Sequence, residues 1–189
     1  ASRELEEEVV PVFWIPSEDH DFTEINHINL ECQGEIKKIE LKGPYRTRPI
    51  GLIRVKEDFL QAVSQLDELL PPTEFKNDYL EMLITQGKKS ANLAEWSTRI
   101  MARLTLMEGL IFFDPLEAGL EGVKKSFLSR YFAYQDDFNE GLSFQEKRLA
   151  EKGFPQQIKK DPRHTNMFII EGRERRPLFK EGERIVSRG

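Results

Sequence analysis

The sequence predicts an α/β fold: a partly parallel sheet with helical insertions and a small β-rich appendage toward the C-terminus. Three observations carry that prediction. Residues 9–15 are almost continuously apolar and stop at Pro16, which suits a strand buried on both faces. Residues 92–114 read as a helix, a glycine and then a second apolar run at 110–113. From about residue 150 the pattern turns to hairpin sequence around Glu171-Gly172-Arg173-Glu174.

Taken in order, Glu4, Glu6, Glu7 and Glu8 make residues 1–8 a fraying or charged helical start. The first unit is strand 9–15, turn 16–21, helix 22–31 and strand 35–41. Phe22, Ile25 and Ile28 recur at helical spacing, Asp21 and Glu24 have the spacing of a capping box, and Gly34 is the stop. Residues 43–55, with Pro44, Pro49 and Gly51, form a loop and extended segment. Helix 57–70 puts Phe59, Val63, Leu66 and Leu70 on one face and ends at Pro71-Pro72. Thr73 caps a helix bearing Phe75, Tyr79, Met82 and Leu83, stopped at Gly87. Asn92 and Glu95 repeat the capping-box spacing before a stripe of Leu93, Trp96, Ile100 and Leu104, and Gly109 ends that helix. Residues 116–138 are helical through Leu120, Val123, Phe127 and Tyr131, with Gly119 and Gly122 against it. Ser143 and Glu146 begin a short helix that Gly153 and Pro155 end. The chain thus divides into a core segment, 1–115, a helical segment, 116–149, and a β-hairpin appendage, 150–189.

Composition narrows the function classes. With 28 basic against 33 acidic residues the net charge is -5, which argues against nucleic-acid binding. Lys37, Lys38, Lys42, Arg46, Arg48, Arg54 and Lys56 cluster, but Glu35, Glu40 and Glu57 dilute them into a solvated strand edge, a polyanion site being the minority view. The single cysteine, Cys32, excludes an internal disulfide, suits a reducing cytoplasm and reads as a packed hydrophobe. No apolar run is long enough to span a membrane, and no signal peptide is visible.

The chemistry concentrates in the turn Ser17-Glu18-Asp19-His20-Asp21, after the first strand. Open α/β sheets bind ligands at the carboxyl ends of their strands. Asp21 can cap the next helix, but capping uses one carboxylate and the turn holds three, which repel unless something positive neutralises them. Lacking glycine, the turn is a poor phosphate cradle and suits an amine, sugar hydroxyls, or phosphate through Mg²⁺. His20, Glu24 and His27 would share a helix face if the helix began a turn early. Zinc is disfavoured there because Asp21 as cap leaves His20 outside the helix and no Cys/His cluster completes a site. Asp114 follows the second apolar run, where it either binds ligand or caps a helix. Strands 9–15 and 110–113 should be interior to one sheet and end at one edge, so that residues 17–21 and Asp114 face a common cleft. Trp14 is near enough to wall that pocket. No G-x-G-x-x-G fingerprint, P-loop or Ser-His-Asp spacing is present.

Residues 11–28, PVFWIPSEDHDFTEINHI, resemble the segment PVFW(I/V)…EDHDF…E(V/I)NH of the cysteine ligases of bacillithiol biosynthesis, the BshC family. Asn92-Leu93-Ala94-Glu95-Trp96 through Gly109-Leu110-Ile111-Phe112-Phe113-Asp114-Pro115 is similar to that family's helix-glycine-strand element. His164-Thr165-Asn166-Met167-Phe168-Ile169-Ile170, with Arg175-Arg176-Pro177-Leu178-Phe179, resembles its hairpin.

The resemblance implies a Rossmann-like core and an enzyme of thiol metabolism that adds cysteine to the amino group of glucosaminyl-malate. It also implies ATP as the driving substrate with Mg²⁺ as a candidate companion, and a homodimer in a full-length parent more than twice this length. It implies that this chain is an internal piece without the family's glycine-rich segment or its long helical portion, inactive by itself. It assigns Asp19 and His20 as catalytic and Trp14, Ser17, Glu18, Asp21, Asn26, His27, Asp114 and Asn166 as substrate-binding, with no bound metal. Two other readings stay open: a metal-dependent phosphoesterase using Asp19-His20-Asp21, and a non-catalytic nucleotide-binding domain.

Overall fold

The computed structural model describes residues 8–105, 109–155, 163–182 and 184–187, the side chain of residue 58 excepted. The expected charged start at residues 1–7 lies outside them. The chain forms two compact units, residues 1–116 with 172–175, and residues 117–171 with 176–189.

In the first unit, β1 (Val12–Trp14) runs parallel to β4 (Ile111–Phe113), with Val12 opposite Ile111 and Trp14 opposite Phe113. The two apolar runs therefore share one sheet and end at one edge, as expected, and they pair directly. They are not interior, however: Val12 is 56 % exposed and Trp14 57 %. Among the described residues no third strand joins this pair, so both outer edges and much of the apolar surface remain open. Ring packing of Phe13 on Phe112 and Trp14 on Phe113 ties the strands together.

The expected helix 22–31 is a correction. A single turn, α1 (Phe22–Ile25), gives way to β2 (His27–Cys32), which pairs antiparallel with β3 (Glu35–Glu40). Ile28, Leu30 and Cys32 alternate as a strand requires, and the cross-strand ladder outweighs the weaker helical spacing. Gln33 (φ 55°) and Gly34 (φ 81°) make the two-residue turn with both backbones left-handed. Gly34 is thus a hairpin residue rather than a helix stop. Asp21 makes no side-chain cap bond to the short helix, so that reading is also corrected. With His27 on a strand, the His20–Glu24–His27 helix face does not exist.

Three amphipathic helices pack the core: α2 (Glu57–Leu69), α3 (Lys76–Lys88) and α4 (Leu93–Thr105). Phe59, Ile53, Val63, Tyr45 and Phe22 are buried together. The capping box at Asn92 forms: Glu95 N–H donates to Asn92 Oδ1 at 2.8 Å, and Ala91 N–H to Glu95 Oε2 at 2.8 Å. Phe75, not Thr73, occupies the cap position of α3. Gly87 lies within α3 rather than beyond it, because a Cβ there would meet Leu60 at 2.5 Å and Trp96 at 3.0 Å. Cys32 donates to Leu69 O at 3.3 Å, a packed thiol.

In the second unit the expected helices 116–138 and 143 onward are redrawn as α5 (Glu121–Ala133) and α6 (Gln135–Glu151), which meet at Tyr134. Ser143 does not begin a helix; inside α6 its hydroxyl donates to Asn139 O at 2.8 Å. The break falls beside the buried Gln135, where no Gly or Pro announces it. The hairpin forms and is longer than expected: β5 (His164–Glu171), β6 (Glu174–Glu181) and β7 (Arg184–Ser187) make a three-stranded sheet in that order. Among the described residues no helix is long and apolar enough to cross a membrane.

Candidate functional site

The site is built on the carboxyl ends of β1 and β4. Leaving β1, the chain buries Ser17 completely, and its Oγ donates to Asp114 Oδ1 from the end of β4. The same oxygen accepts the Leu116 N–H at 2.8 Å. Asp114 is therefore a turn-forming acceptor that couples two segments 97 positions apart. The loop before α2 closes against this junction: Gly51 N–H donates to Ser17 O at 2.8 Å and Ile50 N–H to Asp19 O at 2.7 Å. The loop passes close to the junction at Gly51, where a Cβ would lie 2.9 Å from Leu116 Cδ1 and 3.0 Å from Ser17 Cβ.

Asp19 carries most of the turn's electrostatics. Its Oδ1 accepts the His20 N–H at 2.7 Å and the Arg175 Nη1–H at 3.3 Å. Arg175, with its side chain 20 % exposed, is the positive group that the carboxylate cluster demands, and it also donates its backbone N–H to Thr47 O at 3.5 Å. Sequence reasoning noted Arg175 only as part of a hairpin resemblance. The repulsion among three neighbouring carboxylates was the signal that some cation had to arrive. His20 Nδ1 is buried without a hydrogen-bond partner, 3.7 Å from Asp19 Oδ1, and Glu18 Oε2 is likewise buried and unpartnered.

The other expected residues separate by role. Asn26 is locked: its Nδ2 donates to Leu41 O at 3.1 Å and its Oδ1 lies 3.0 Å from His27 Nδ1. Together they brace the start of the β2–β3 hairpin. Trp14 stacks on Phe113 with ring centroids 4.7 Å apart and otherwise faces outward. Asn166 belongs to the second unit, on β5, with φ 58° and its Nδ2 donating to Tyr131 Oη at 3.4 Å.

Two cavities adjoin the turn. One of about 470 Å³ is mainly apolar and includes Ser17, Phe22, Ile25, Trp96 and Ile100. The other, about 850 Å³, is more polar and includes His20, Asp21, Asn26, Lys42, Arg46 and Thr47. Lys42 and Arg46, read from sequence as solvated strand edge, thus share a groove with the turn. On its rim the Lys38 ammonium, hydrogen-bonded at 3.1 Å and aided by Lys42 and His27, holds the Glu40 carboxyl below the usual carboxylate range.

Asp19, His20 and Asp21 each offer a ligand atom, all within 4.8 Å of one another. Yet the Arg175 guanidinium already pairs with Asp19 Oδ1, Asp21 is exposed, and no further His, Cys, Asp or Glu joins the group among the described residues. This arrangement does not fit a resident Mg²⁺ or zinc ion.

Comparison with known proteins matches residues 1–188 to the family model described as "Bacillithiol biosynthesis BshC, N-terminal Rossmann-like domain". A relative from Carboxydothermus hydrogenoformans is 34 % identical over 99 % of this chain and 35 % of its own length. One from Desulforamulus reducens is 30 % identical over 96 % of this chain and 34 % of its own. One from Symbiobacterium thermophilum is 28 % identical over 100 % of this chain and 36 % of its own. Each is named "Putative cysteine ligase BshC". The chain spans about a third of the length of these relatives.

Proposed function

The chain belongs to the bacillithiol biosynthesis BshC family, to its N-terminal Rossmann-like domain, and on that premise we propose that it is part of a ligase joining cysteine to the amino group of glucosaminyl-malate. Amide formation from a free carboxylate is uphill in water, so ATP activates the cysteine carboxylate as an acyl phosphate or acyl adenylate. The sugar amine then attacks the carbonyl carbon, the bond from that carbon to the phosphate oxygen breaks with release of phosphate or AMP, and the amine gives up a proton. Holding the two substrates in a near-attack arrangement supplies several kcal/mol, roughly, of the barrier reduction.

The observation that carries this reading is the convergence of the two parallel strand ends on Ser17 and Asp114, with the Asp19–Asp21 turn passing from that junction to a polar groove. Strand ends of this kind are where open α/β sheets take their ligands. His20, whose Nδ1 is buried without a hydrogen-bond partner, is the base in this proposal, and Asp19 beside it stabilises the imidazolium that forms. The metal-phosphoesterase alternative has its three donors in the same turn, but the Arg175–Asp19 pair favours the ligase. The non-catalytic alternative is the outcome in which ATP binds without turnover.

The test is product formation by the full-length protein that carries this chain, with cysteine, the sugar conjugate and ATP, read by mass spectrometry. Amide that forms only with ATP supports the proposal, and the nucleotide product distinguishes acyl phosphate from acyl adenylate. No amide, or amide formed equally without ATP, would overturn it.

A further inference from the structure

The groove beside the turn is lined also by the segment after β3, which adds Lys42, Arg46 and Thr47 to His20, Asp21 and Asn26. The basic residues of this stretch are not equivalent. Lys37 pairs with Glu35, and Lys38 with Glu40. Arg48 and Lys56 lie over the Tyr45 ring, 5.7 and 5.4 Å from its centroid. Lys42 and Arg46 make no hydrogen bond or ion pair among the described residues, and both line the groove. In the same lining Asp21 is exposed and makes no side-chain cap bond to its helix.

We propose that this groove holds a small carboxylate that also carries an amine or hydroxyl group, with the carboxylate on Arg46 and Lys42 and the amine or hydroxyl on Asp21. The guanidinium fork matches the two oxygens of a carboxylate, and a neighbouring ammonium adds charge without demanding geometry. A polyphosphate is the poorer occupant for two reasons. Asp21 and Glu40 line the same groove, so their charge opposes a multiply charged anion. Gly43 is the one glycine in the lining, so no glycine-rich loop presents backbone N–H groups to a phosphate. For the ligand's identity the inference rests on the ligase reading: cysteine and the malate-bearing conjugate both carry a carboxylate together with an amine or hydroxyl.

Calorimetry on the full-length protein with cysteine, malate and inorganic phosphate, at matched ionic strength, tests it. Cysteine or malate should bind saturably. Arg46→Ala and Lys42→Ala should each weaken that binding tenfold or more, Arg46→Lys should recover part of the loss, and Lys37→Ala should change nothing. The proposal is overturned if both alanine variants bind carboxylates as tightly as wild type, if phosphate binds more tightly than either carboxylate, or if wild type binds no carboxylate saturably. Product formation is scored separately. Loss of carboxylate affinity in a protein that makes no amide keeps the groove and sinks the ligase; unchanged affinity in variants of a protein that does make amide has the reverse meaning.

Discussion

On one oxygen of Asp19 a backbone N–H and the Arg175 guanidinium meet, with the His20 ring 3.7 Å away. That arrangement gives Asp19 a structural partner and a chemical neighbour, and substitutions separate the two. In the full-length protein, Asp19→Asn or His20→Ala is expected to lower cysteine-ligation turnover about a hundredfold, the scale of a positioned proton-transfer or charge-stabilising group. Near-normal steady-state turnover in both would make the turn structural. Asp21→Asn should be milder in turnover and act chiefly on substrate affinity, since Asp21 makes no cap bond and faces the groove proposed to hold the ligand's amine or hydroxyl. If Arg175 acts through Asp19, Arg175→Ala and Asp19→Asn should not add: a double-mutant cycle on thermal stability should return a coupling of about 0.5 kcal/mol or more. Glu95 supplies a pH prediction. The Ala91 N–H first, then Arg99, holds its carboxyl below the ordinary value of 4.5. A depressed folded-state pKa gives stability that is fully present above the unfolded value and is lost as pH falls through the folded one. The stability gap between wild type and Glu95→Gln, measured by denaturant titration, should therefore close as pH drops below 4.5; a gap that persists at lower pH would mean the charge is not what stabilises.

Among the elements, α3 holds the sharpest test of packing against propensity. Replacing a helical glycine with alanine ordinarily stabilises by about 1 kcal/mol. At Gly87 the new methyl would meet Leu60 at 2.5 Å and Trp96 at 3.0 Å, and overpacking of this kind costs roughly 1–3 kcal/mol. Gly87→Ala should therefore lower the melting temperature, and a rise would contradict the α3–α4 packing described here. The helices α2 and α4 were legible because Phe59, Val63 and Leu66, or Leu93, Trp96 and Ile100, repeat at helical spacing with caps or breakers at their ends. Residues 22–32 were not. Phe22, Ile25 and Ile28 fit a helix while Ile28, Leu30 and Cys32 fit a strand, and pairing with residues 35–40 decides between them. The hairpin turn hid as well, since Gln33 adopts φ 55° where Asn or Gly is the usual signal.

At the largest scale the exposed β1–β4 pair is the dominant physical fact among the described residues. Val12, Phe13, Trp14 and Ile111 all remain accessible, and strand edges left open by a parallel pair are templates for further pairing. The 189-residue chain by itself should accordingly show concentration-dependent association in sedimentation velocity. It should also bind ATP weakly and form no measurable amide in the product assay; a monomer at all concentrations, or turnover equal to a full-length relative, would contradict this. Legible from the residues were the class of fold, the place of the two apolar runs in one sheet, the convergence of residues 17–21 and Asp114 at one edge, and the turn in which acidic groups and a histidine gather. Those conclusions follow from local patterns: periodicity, composition and the strand-end position are written within a few residues of one another. The tertiary structure alone decided that Arg175, 156 positions away, neutralises Asp19, that Lys42 and Arg46 share a groove with His20, and that an apolar run can stand exposed. Charges and faces find partners through chain topology, and topology is set by long-range packing that no local period records.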